Sequence, residues 1–497
     1  MKKLFLLTFH FVFALSLMAQ EPTFTWTNSN TKPDLEQSIQ VYADNLGGYL
    51  LVNKMPPASG SFAPSVTAEY FNAQNERVYK KNVTVEVMED FVNVVLLNNK
   101  AYLLKSLFTK ESGVNTLYAV PISSSGNYED AKAIATIPAE KLSARGLFHA
   151  SCSEDDSKLI IVSEPNFTKD QNEKITLTLF NDKLETIWKT EQTFPYLWTR
   201  AVYNKPYVNN AGMVYLLKKT DMKGEGITYS VFSYDGTKMK EYKMELDGNK
   251  KAASLVSDLS KDGDLLVGGY YTEDAKVKIG FGTAFHGAFV FQTDGKNGSW
   301  KIKSISPFEK RKDITARKII SYKGNIIITG EITYTNSSAR PKDPNIPASE
   351  QDPFARDYSY SHLDIMVDGF DTNGKSIYQQ SVKKSNSSKN DYARWNSFFG
   401  EIMNDKLYLI FMDDKTRYDE KKKWIIFGSV PKIPVFAIVD PTNGTLTPSK
   451  PIENYENPGN KEKAMLLKPD VFLKLNDKEC VIRAENSEVY RMARVRF

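Results

Sequence analysis

The chain is poor in the residues that build metal and redox sites. Its 497 residues include two cysteines and four histidines. Two cysteines cannot hold a structural zinc ion by themselves, and Cys152 and Cys480 lie far apart in two strand-like segments. We therefore predict two separate buried thiols rather than a disulfide. The same shortage leads us to expect no metal and no cofactor.

The chain also lacks a large excess of charge of one sign. The chain has 65 lysine and arginine residues against 60 aspartate and glutamate residues, a formal net charge of +5. So small an excess gives no sign of nucleic-acid binding, and we expect no such partner. The motifs of phosphate loops, nucleophile elbows, zinc peptidases and calcium loops are absent too. The sequence therefore names no catalytic class.

Long apolar runs are missing except at the amino terminus. Lys2 and Lys3 precede an apolar stretch over residues 4–17, and Ala19 offers a small residue before Gln20. This order is typical of a secretory signal peptide. No later stretch approaches the roughly 18 apolar residues of a membrane span. We predict a signal peptide over 1–19, a single domain over 20–497 with no transmembrane segment, and export to the periplasm or beyond.

What the chain has is a recurring strand, clearest in Gly324-Asn325-Ile326-Ile327-Ile328-Thr329-Gly330. β-Branched and aromatic residues favour strands, and recurrence at intervals of 50 to 82 residues is typical of a repeat architecture. We name this strand B. Its eight anchors are Tyr49, Tyr102, Leu159, Tyr215, Leu265, Ile326, Tyr408 and Cys480.

Each B strand has neighbours on both sides. An apolar strand A precedes it across a tight polar turn, and strands C and D follow as a second hairpin. The C–D turn carries Asp or Asn and Gly, as in Asp235-Gly236 and Asp294-Gly295. The predicted A strands cover 38–42, 91–95, 147–150, 201–203, 254–256, 318–321, 397–400 and 471–473.

Units of four antiparallel strands resemble the blades of a β-propeller, and the chain resembles a secreted bacterial protein of that architecture. The Trp-Asp pair of WD40 repeats is absent, and a kelch-like glycine pair occurs once, at Gly268-Gly269. No characterised family is therefore indicated. The resemblance implies an all-β fold with eight four-stranded blades. Seven blades, or a tandem array of sandwiches, are the alternatives.

The two ends of the chain predict how the ring closes. The last unit has strands A and B and a third strand over 488–497, and the chain then ends. An orphan strand lies at 23–27. Pairing that strand with the last unit would complete the blade and cover two exposed edges.

Loop lengths predict the ligand face. The A–B and C–D turns are short, whereas the B–C and D–A loops, which leave from the other face, are long; binding residues concentrate on such loops. Two B–C insertions stand out, over 335–361 and 413–434. The first contains Arg356, Tyr358 and Tyr360 and is followed by His362. The D–A loops add Phe194, Tyr196, Trp198, Tyr392 and Trp395.

Exposed aromatic residues beside arginine suit stacking against a sugar or a peptide. The alternative is that they pack their own loops onto the scaffold. An arginine also stands near the start of strand A in four units, as Arg145, Arg200, Arg317 and Arg394. On the innermost strand these would ring the mouth of the channel and attract an anionic ligand. The alternative is pairing with neighbouring carboxylates.

The sequence thus predicts a non-catalytic exported binding module for an anionic glycan or a peptide. The alternative is a carbohydrate-active enzyme, a glycosidase or lyase, which needs carboxylates facing each other across a cleft. The candidate carboxylates are Glu154, Asp155 and Asp156, or Asp352, Asp357 and Asp364. A third possibility, a structural part of a cell-surface complex, would require an exposed apolar patch.

Overall fold

A computed structural model describes residues 21–32, 38–44, 46–55, 65–83, 88–166, 168, 170–198, 201–222, 226–274, 282–295, 299–340, 356–418, 431–453, 455 and 465–497. The predicted signal peptide over 1–19 lies outside the described residues. The described chain is an eight-bladed β-propeller of four-stranded antiparallel sheets. The eight-blade prediction is therefore confirmed.

Each blade runs from an innermost strand A to an outermost strand D. The A strands are β3 (Ser38–Ala43), β7 (Glu89–Leu97), β11 (Leu147–Cys152), β15 (Ala201–Val208), β19 (Lys251–Leu259), β23 (Ile314–Tyr322), β28 (Phe398–Met403) and β32 (Leu466–Lys474). The B strands are β4 (Tyr49–Met55), β8 (Lys100–Thr109), β12 (Lys158–Glu164), β16 (Val214–Met222), β20 (Leu265–Thr272), β24 (Asn325–Ala339), β29 (Lys406–Asp414) and β33 (Glu479–Glu485). Blades are numbered 1 to 8 in this order. All the predicted A and B strands are confirmed.

The outer strands complete each blade. The C strands are β5 (Ser65–Phe71), β9 (Val114–Ile122), β13 (Asn172–Asn181), β17 (Gly226–Tyr234), β21 (Ala284–Asp294), β25 (Arg356–Phe370), β30 (Lys432–Val439) and β34 (Val489–Arg496). The D strands are β6 (Arg77–Val83), β10 (Lys132–Pro138), β14 (Thr186–Leu197), β18 (Met239–Lys243), β22 (Ser299–Lys312), β26 (Ser376–Val382), β31 (Leu446–Pro451) and β1 (Thr23–Trp26). Two short strands, β2 (Asn30–Thr31) and β27 (Asn386–Lys389), add to blades 8 and 6.

The core lies between neighbouring blades. All eight residues of β20 are buried, because a middle strand of a blade has a sheet packed on each face. Ile327 and Val367 of blade 6, for example, share a cluster with Leu407, Leu409 and Phe411 of blade 7. Such continuous apolar packing explains why the B strands give the strongest signal in the sequence.

The amino-terminal strand closes the ring as predicted. Strand β1 pairs antiparallel with β34, with Thr23 opposite Arg496 and Trp26 opposite Ala493. The backbone N–H of Thr27 continues the pairing with a 2.9 Å hydrogen bond to the carbonyl oxygen of Met492. The last blade therefore takes three strands from the carboxyl terminus and its D strand from the amino terminus.

The A–B turns are tight because their residues adopt left-handed backbone conformations. Asn98 and Asn99 have φ values of 46° and 63°, and Asn404 and Asp405 have 47° and 61°. Two consecutive residues with positive φ form the hairpin turn that matches strand twist, and Asn and Asp accept it well. These turns bring all A–B connections to one face, which we call the turn face. The opposite face is the loop face.

Two sequence-based assignments need correction. The insertion over 335–361 is not wholly a loop, because β24 extends to Ala339 and β25 begins at Arg356. Phe194, Pro195 and Tyr196 lie in strand β14 rather than in a D–A loop. In the second insertion, residues 415–417 form a single 3-10 turn, and residues 419–430 lie outside the described residues.

Two further findings concern the cysteines and the membrane. Cys152 and Cys480 are separate free thiols, in blades 3 and 8, as predicted; Cys480 is buried, whereas Cys152 is only half-buried. Burial raises the pKa of the Cys152 thiol to about 12, so this thiol is protonated at neutral pH. Among the described residues, no helix has the length and apolar character needed to cross a membrane.

Candidate functional site

The loop-face end of blade 6 is built on a buried group of charges. Glu331 of β24 is fully buried and accepts hydrogen bonds from Arg317 of β23 at 2.9 Å and from His362 of β25 at 2.8 Å. The fully buried Lys384, which follows β26, pairs with its other carboxylate oxygen. We call these four residues the Glu331 cluster. It ties three strands of the blade to the connection that leads into blade 7.

The electrostatics of this cluster are mutually compensating. Burial alone would raise the pKa of Glu331, but the charges of Lys384, His362 and Arg317 hold it down at about 2. Burial lowers the pKa of Lys384, and the Glu331 carboxylate opposes that shift. Lys384 also donates to the carbonyl oxygen of Asn396, and Ser397 donates to Glu331 at 3.2 Å. The cluster therefore gives rigid support to the part of blade 6 that projects beyond it at the loop face.

Above the cluster, β24 and β25 extend as a hairpin arm. Thr335 lies opposite Tyr360, Ser337 opposite Tyr358 and Ala339 opposite Arg356. Strand β27 adds to the free edge of β25, with Ser388 opposite Tyr360 and Lys389 opposite Ser359. The arm is thus a three-stranded ribbon rather than a flexible loop.

One carboxylate ties the three strands of the arm together. Asp357 accepts hydrogen bonds from Arg340 at 3.1 Å, from Asn390 at 3.1 Å and from Lys389 at 2.8 Å. These contacts hold the pKa of Asp357 at about 2. Because Arg340, Lys389 and Asn390 all donate to Asp357, its carboxylate holds the strands of the arm in position.

Three tyrosines lie at the arm and the turn beside it. The rings of Tyr358 and Tyr360 are nearly parallel, with centroids 6.4 Å apart and an interplanar angle of 18°. Burial raises the pKa of Tyr360, and the charges of nearby Tyr392, Asp391 and Tyr358 raise it further. Tyr392 is 79% exposed and Tyr358 is 42% exposed. We call Tyr358, Tyr360 and Tyr392 the tyrosine patch.

The turn that presents Tyr392 is held in an unusual conformation. Asn390, Tyr392 and Ala393 all have positive φ values, of 55°, 60° and 59°. Left-handed backbone is uncommon for Tyr and Ala, and such strain is often found at ligand-binding positions. Asp391 stabilises the turn by accepting from Ser388 at 2.6 Å and from the backbone N–H of Ala393 at 3.0 Å. An exposed tyrosine is therefore held out at a fixed position.

The structure brings most of the predicted site residues together at blade 6. Tyr358, Tyr360 and Arg356 lie on the arm, and His362 and Arg317 lie in its base. Arg394 and Trp395 belong to the connection into blade 7, next to the strained turn. No partner of the Arg394 side chain is found among the described residues. The Trp395 ring lies 5.9 Å from Nζ of Lys32.

The other predicted residues lie elsewhere. Arg145 precedes β11 and forms a bidentate pair with Asp90 of blade 2, so it links two blades. Trp198 follows β14, and its backbone N–H donates to Gln171 at 3.1 Å. Arg200 lies outside the described residues. Arg145 and Arg317 are thus paired with carboxylates, which is the alternative that the sequence left open for these arginines.

Three of the six carboxylates considered for catalysis, Asp155, Asp357 and Asp364, have structural partners. Asp155 and Asp156 form the turn between β11 and β12, where Asp155 accepts from Ser153 at 2.6 Å. Asp364 accepts from Lys383 at 2.5 Å. Asp352 lies outside the described residues.

Sequence reasoning missed Glu331 and Lys384, which organise the site. Charged residues are rarely buried, so nothing in a single sequence distinguishes these two from charges in solvent. The one available signal was Glu331 directly after the apolar run that ends at Gly330, in the interior of a strand.

Comparison with solved structures finds similar folds at very low sequence identity. The β-propeller domain of the Trilobed protease from Pyrococcus furiosus is 11% identical, with a TM-score of 0.37 over 88% of this chain and 98% of that one. The WD40 domain of SCAP from fission yeast is 8% identical, with a TM-score of 0.38 over 96% of this chain and 98% of that one. Pyrococcus horikoshii acylaminoacyl peptidase is 9% identical, with a TM-score of 0.37; the match covers 93% of this chain but 57% of the peptidase.

The other two comparisons found nothing. No protein-family model matches the chain, and no curated protein matches it. The proposal for function therefore depends on the geometry of the site.

Proposed function

We propose that this chain is an exported, non-catalytic binding module that holds an acidic glycan against the tyrosine arm of blade 6. The observation that carries the proposal is the tyrosine patch, in which two nearly parallel rings on a braced ribbon are accompanied by a third ring, 79% exposed, on the adjoining turn. The amino-terminal signal sequence motivates export.

The chemistry of the patch suits a sugar chain. Tyrosine offers a large apolar face at low conformational cost, with a hydroxyl group that stays in water. Parallel rings on one side of a ribbon present successive platforms for successive sugar rings. Arg394, close to the patch and without a described partner, supplies a positive charge for a carboxylate or sulfate group.

The rigidity of the arm supports binding. A ligand that meets a preformed surface avoids the entropy cost of ordering it. The Glu331 cluster below the arm and the Asp357 contacts within it provide that order.

A glycan array with the full chain tests the proposal. We expect binding to acidic glycans, and about tenfold weaker binding by a Tyr358→Ala/Tyr392→Ala variant. Tyr128→Ala is the matched control, because Tyr128 is 38% exposed on the C–D connection of blade 2, at the turn face. A parallel peptide array is included. Binding to peptides alone would contradict the ligand class, and equal losses in both variants would contradict the location.

A further inference from the structure

The central channel carries a second pattern of charges, near the turn face. Around blades 4 to 8, the innermost strands and their ends place charges that alternate in sign. They are Lys205, Asp258, Lys318, Glu401 and Lys474, one from each blade. The innermost strands of blades 1 to 3 present neutral polar groups instead, among them Tyr42, Asn93 and Ser151.

Three of these five charges are paired. Lys318 forms an ion pair with Glu401. Lys474 donates to Asp477 at 2.9 Å and to the carbonyl oxygen of Ile402 at 2.9 Å. Lys318, Glu401 and Lys474 are therefore each satisfied by a nearby opposite charge or hydrogen-bond acceptor.

Lys205 and Asp258 differ from the other three charges because they are not paired among the described residues. Within the described part of the chain, neither side chain has an ion-pair partner within 4.0 Å. The contact that Asp258 makes is a 2.9 Å hydrogen bond from the backbone N–H of Leu259. Lys205 lies 6.0 Å from the centre of the Tyr207 ring and is exposed to the channel.

The two side chains are nevertheless held in one wall. Tyr207 donates to the carbonyl oxygen of Ser257 at 3.0 Å, and its hydroxyl lies 2.9 Å from the Ser257 hydroxyl. This contact joins β15 to β19 beside Lys205 and Asp258. The cation and the anion are thereby carried on two adjacent strands that are held together.

Both charges line one cavity of about 560 Å³, to which Tyr207 and Leu259 add partly exposed apolar surface. This volume is in the range of small-molecule sites. Burial raises the pKa of Asp258, although the residue is exposed to the channel. The remaining charged lining residues stand on A–B turns at the rim, where Asp405 pairs with Lys323 and Asp477 with Lys474.

We propose that this cavity binds a small zwitterion, a free α-amino acid with an apolar side chain. Its ammonium group would lie against Asp258, its carboxylate against Lys205 and its side chain against the apolar surface of Tyr207 and Leu259. A cation and an anion on adjacent strands, neither of them in an ion pair within 4.0 Å among the described residues, match a ligand that carries both charges close together. A ligand with one charge would leave either Lys205 or Asp258 unpaired.

Isothermal titration of the full chain with three probes tests the inference. The probes are L-leucine, N-acetyl-L-leucine, which lacks the ammonium group, and L-leucinamide, which lacks the carboxylate. We expect L-leucine to bind at least about tenfold more tightly than either derivative, since each derivative loses one charge-assisted contact. This comparison needs no variant and so does not depend on how a variant folds.

Two variants assign the contacts. Lys205→Met should bind L-leucine and L-leucinamide equally, and Asp258→Asn should bind L-leucine and N-acetyl-L-leucine equally. Lys323→Met is the control, because Lys323 stands at the rim of the same cavity, 63% exposed and paired with Asp405. Its affinities should match the wild type. No binding of L-leucine at millimolar concentration, equal binding of the three probes, or unchanged preferences in both variants would overturn the proposal.

Discussion

Nδ1 of His362 lies 2.8 Å from a carboxylate oxygen of Glu331, and this contact joins strands β24 and β25 where the hairpin arm leaves the blade. Lys384 pairs with the other oxygen of the same carboxylate. A fully buried carboxylate with four hydrogen-bonding partners, Arg317, His362, Lys384 and Ser397, is therefore the foundation of the candidate site. Removal of this carboxylate should reduce the stability of the fold first and ligand binding second.

Glu331→Gln should lower the free energy of unfolding by about 3 to 5 kcal/mol, because Lys384 would be left as a buried charge without its counter-ion. Urea denaturation at neutral pH measures the change. The control is Glu129→Gln, since Glu129 pairs at 2.8 Å with Lys100 while both side chains are more than 40% exposed. That exposed pair should contribute less than about 1 kcal/mol. Similar losses in the two variants would contradict the role of the cluster.

The Glu331 carboxylate should also make the stability of the fold depend on pH. The pKa of Glu331 is about 2 in the folded chain, against about 4.3 in an unfolded one. A lowered folded-state pKa stabilises the fold above the unfolded value, and this contribution is lost as the pH falls toward 2. The stability difference between wild type and Glu331→Gln should therefore shrink between about pH 5 and pH 2. A constant difference over that window would show that Glu331 does not titrate as described.

Asp156 should make the stability of the fold depend on pH in the opposite direction. It occupies the turn between β11 and β12 with φ at 54°, and burial, together with Asp155 and Asp44, raises its pKa to about 6. A raised pKa means that ionisation opposes folding, so this group stabilises the fold at low pH and loses that effect as the pH rises through 6. Asp156→Asn keeps a residue that accepts positive φ and removes the charge.

We expect Asp156→Asn to raise the free energy of unfolding at pH 7 by about 1 kcal/mol, discounted for the partial exposure of the side chain. At pH 4 the two proteins should be equally stable. Denaturant melts at the two pH values give the comparison. A loss of stability at pH 7 would mean that the Asp156 carboxylate has a favourable partner.

The closure of the ring predicts a disulfide. Thr23 and Arg496 are directly opposite in the pairing of β1 with β34, where antiparallel Cα atoms lie about 4.5 to 5.5 Å apart, within reach of a disulfide. Thr23→Cys/Arg496→Cys should therefore cross-link under mild oxidation and stabilise the chain by about 3 kcal/mol. Mass spectrometry of the non-reduced protein detects the bond.

The register itself supplies the control for that disulfide. Arg491 is on the same strand as Arg496 but pairs with Ala484, roughly 17 Å further along. Thr23→Cys/Arg491→Cys should not cross-link. Equal yields in the two double variants would show that the terminal strand slides or is absent from blade 8.

Most of the fold could be predicted from the sequence, because burial between blades makes the B strands largely apolar. The same reasoning failed where strands are polar. Thr335-Asn336-Ser337-Ser338 of β24 and Asn386-Ser387-Ser388-Lys389 of β27 have few apolar residues, so no periodicity marks them. Their pairing depends on contacts across the ribbon, and these are distant in sequence.

The candidate site was predictable only in part, for a related reason. Exposed aromatics such as Tyr358 and Tyr392 stand out in polar surroundings, and the loop-face argument selected them. The engagement of Arg145 by Asp90, 55 residues away, and of Glu331 by Lys384, 53 residues away, is set by tertiary contacts. A single sequence offers no sign of which charges will meet.

Hydrogen exchange of the full chain, with and without the best acidic glycan from the array, tests the central claim most directly. The account predicts slower exchange in residues 356–362 and 386–397, which form the arm and the turn of Tyr392, and no change in the A–B turns at 153–157 and 404–405. Protection at those turns, with residues 356–362 and 386–397 unchanged, would contradict it.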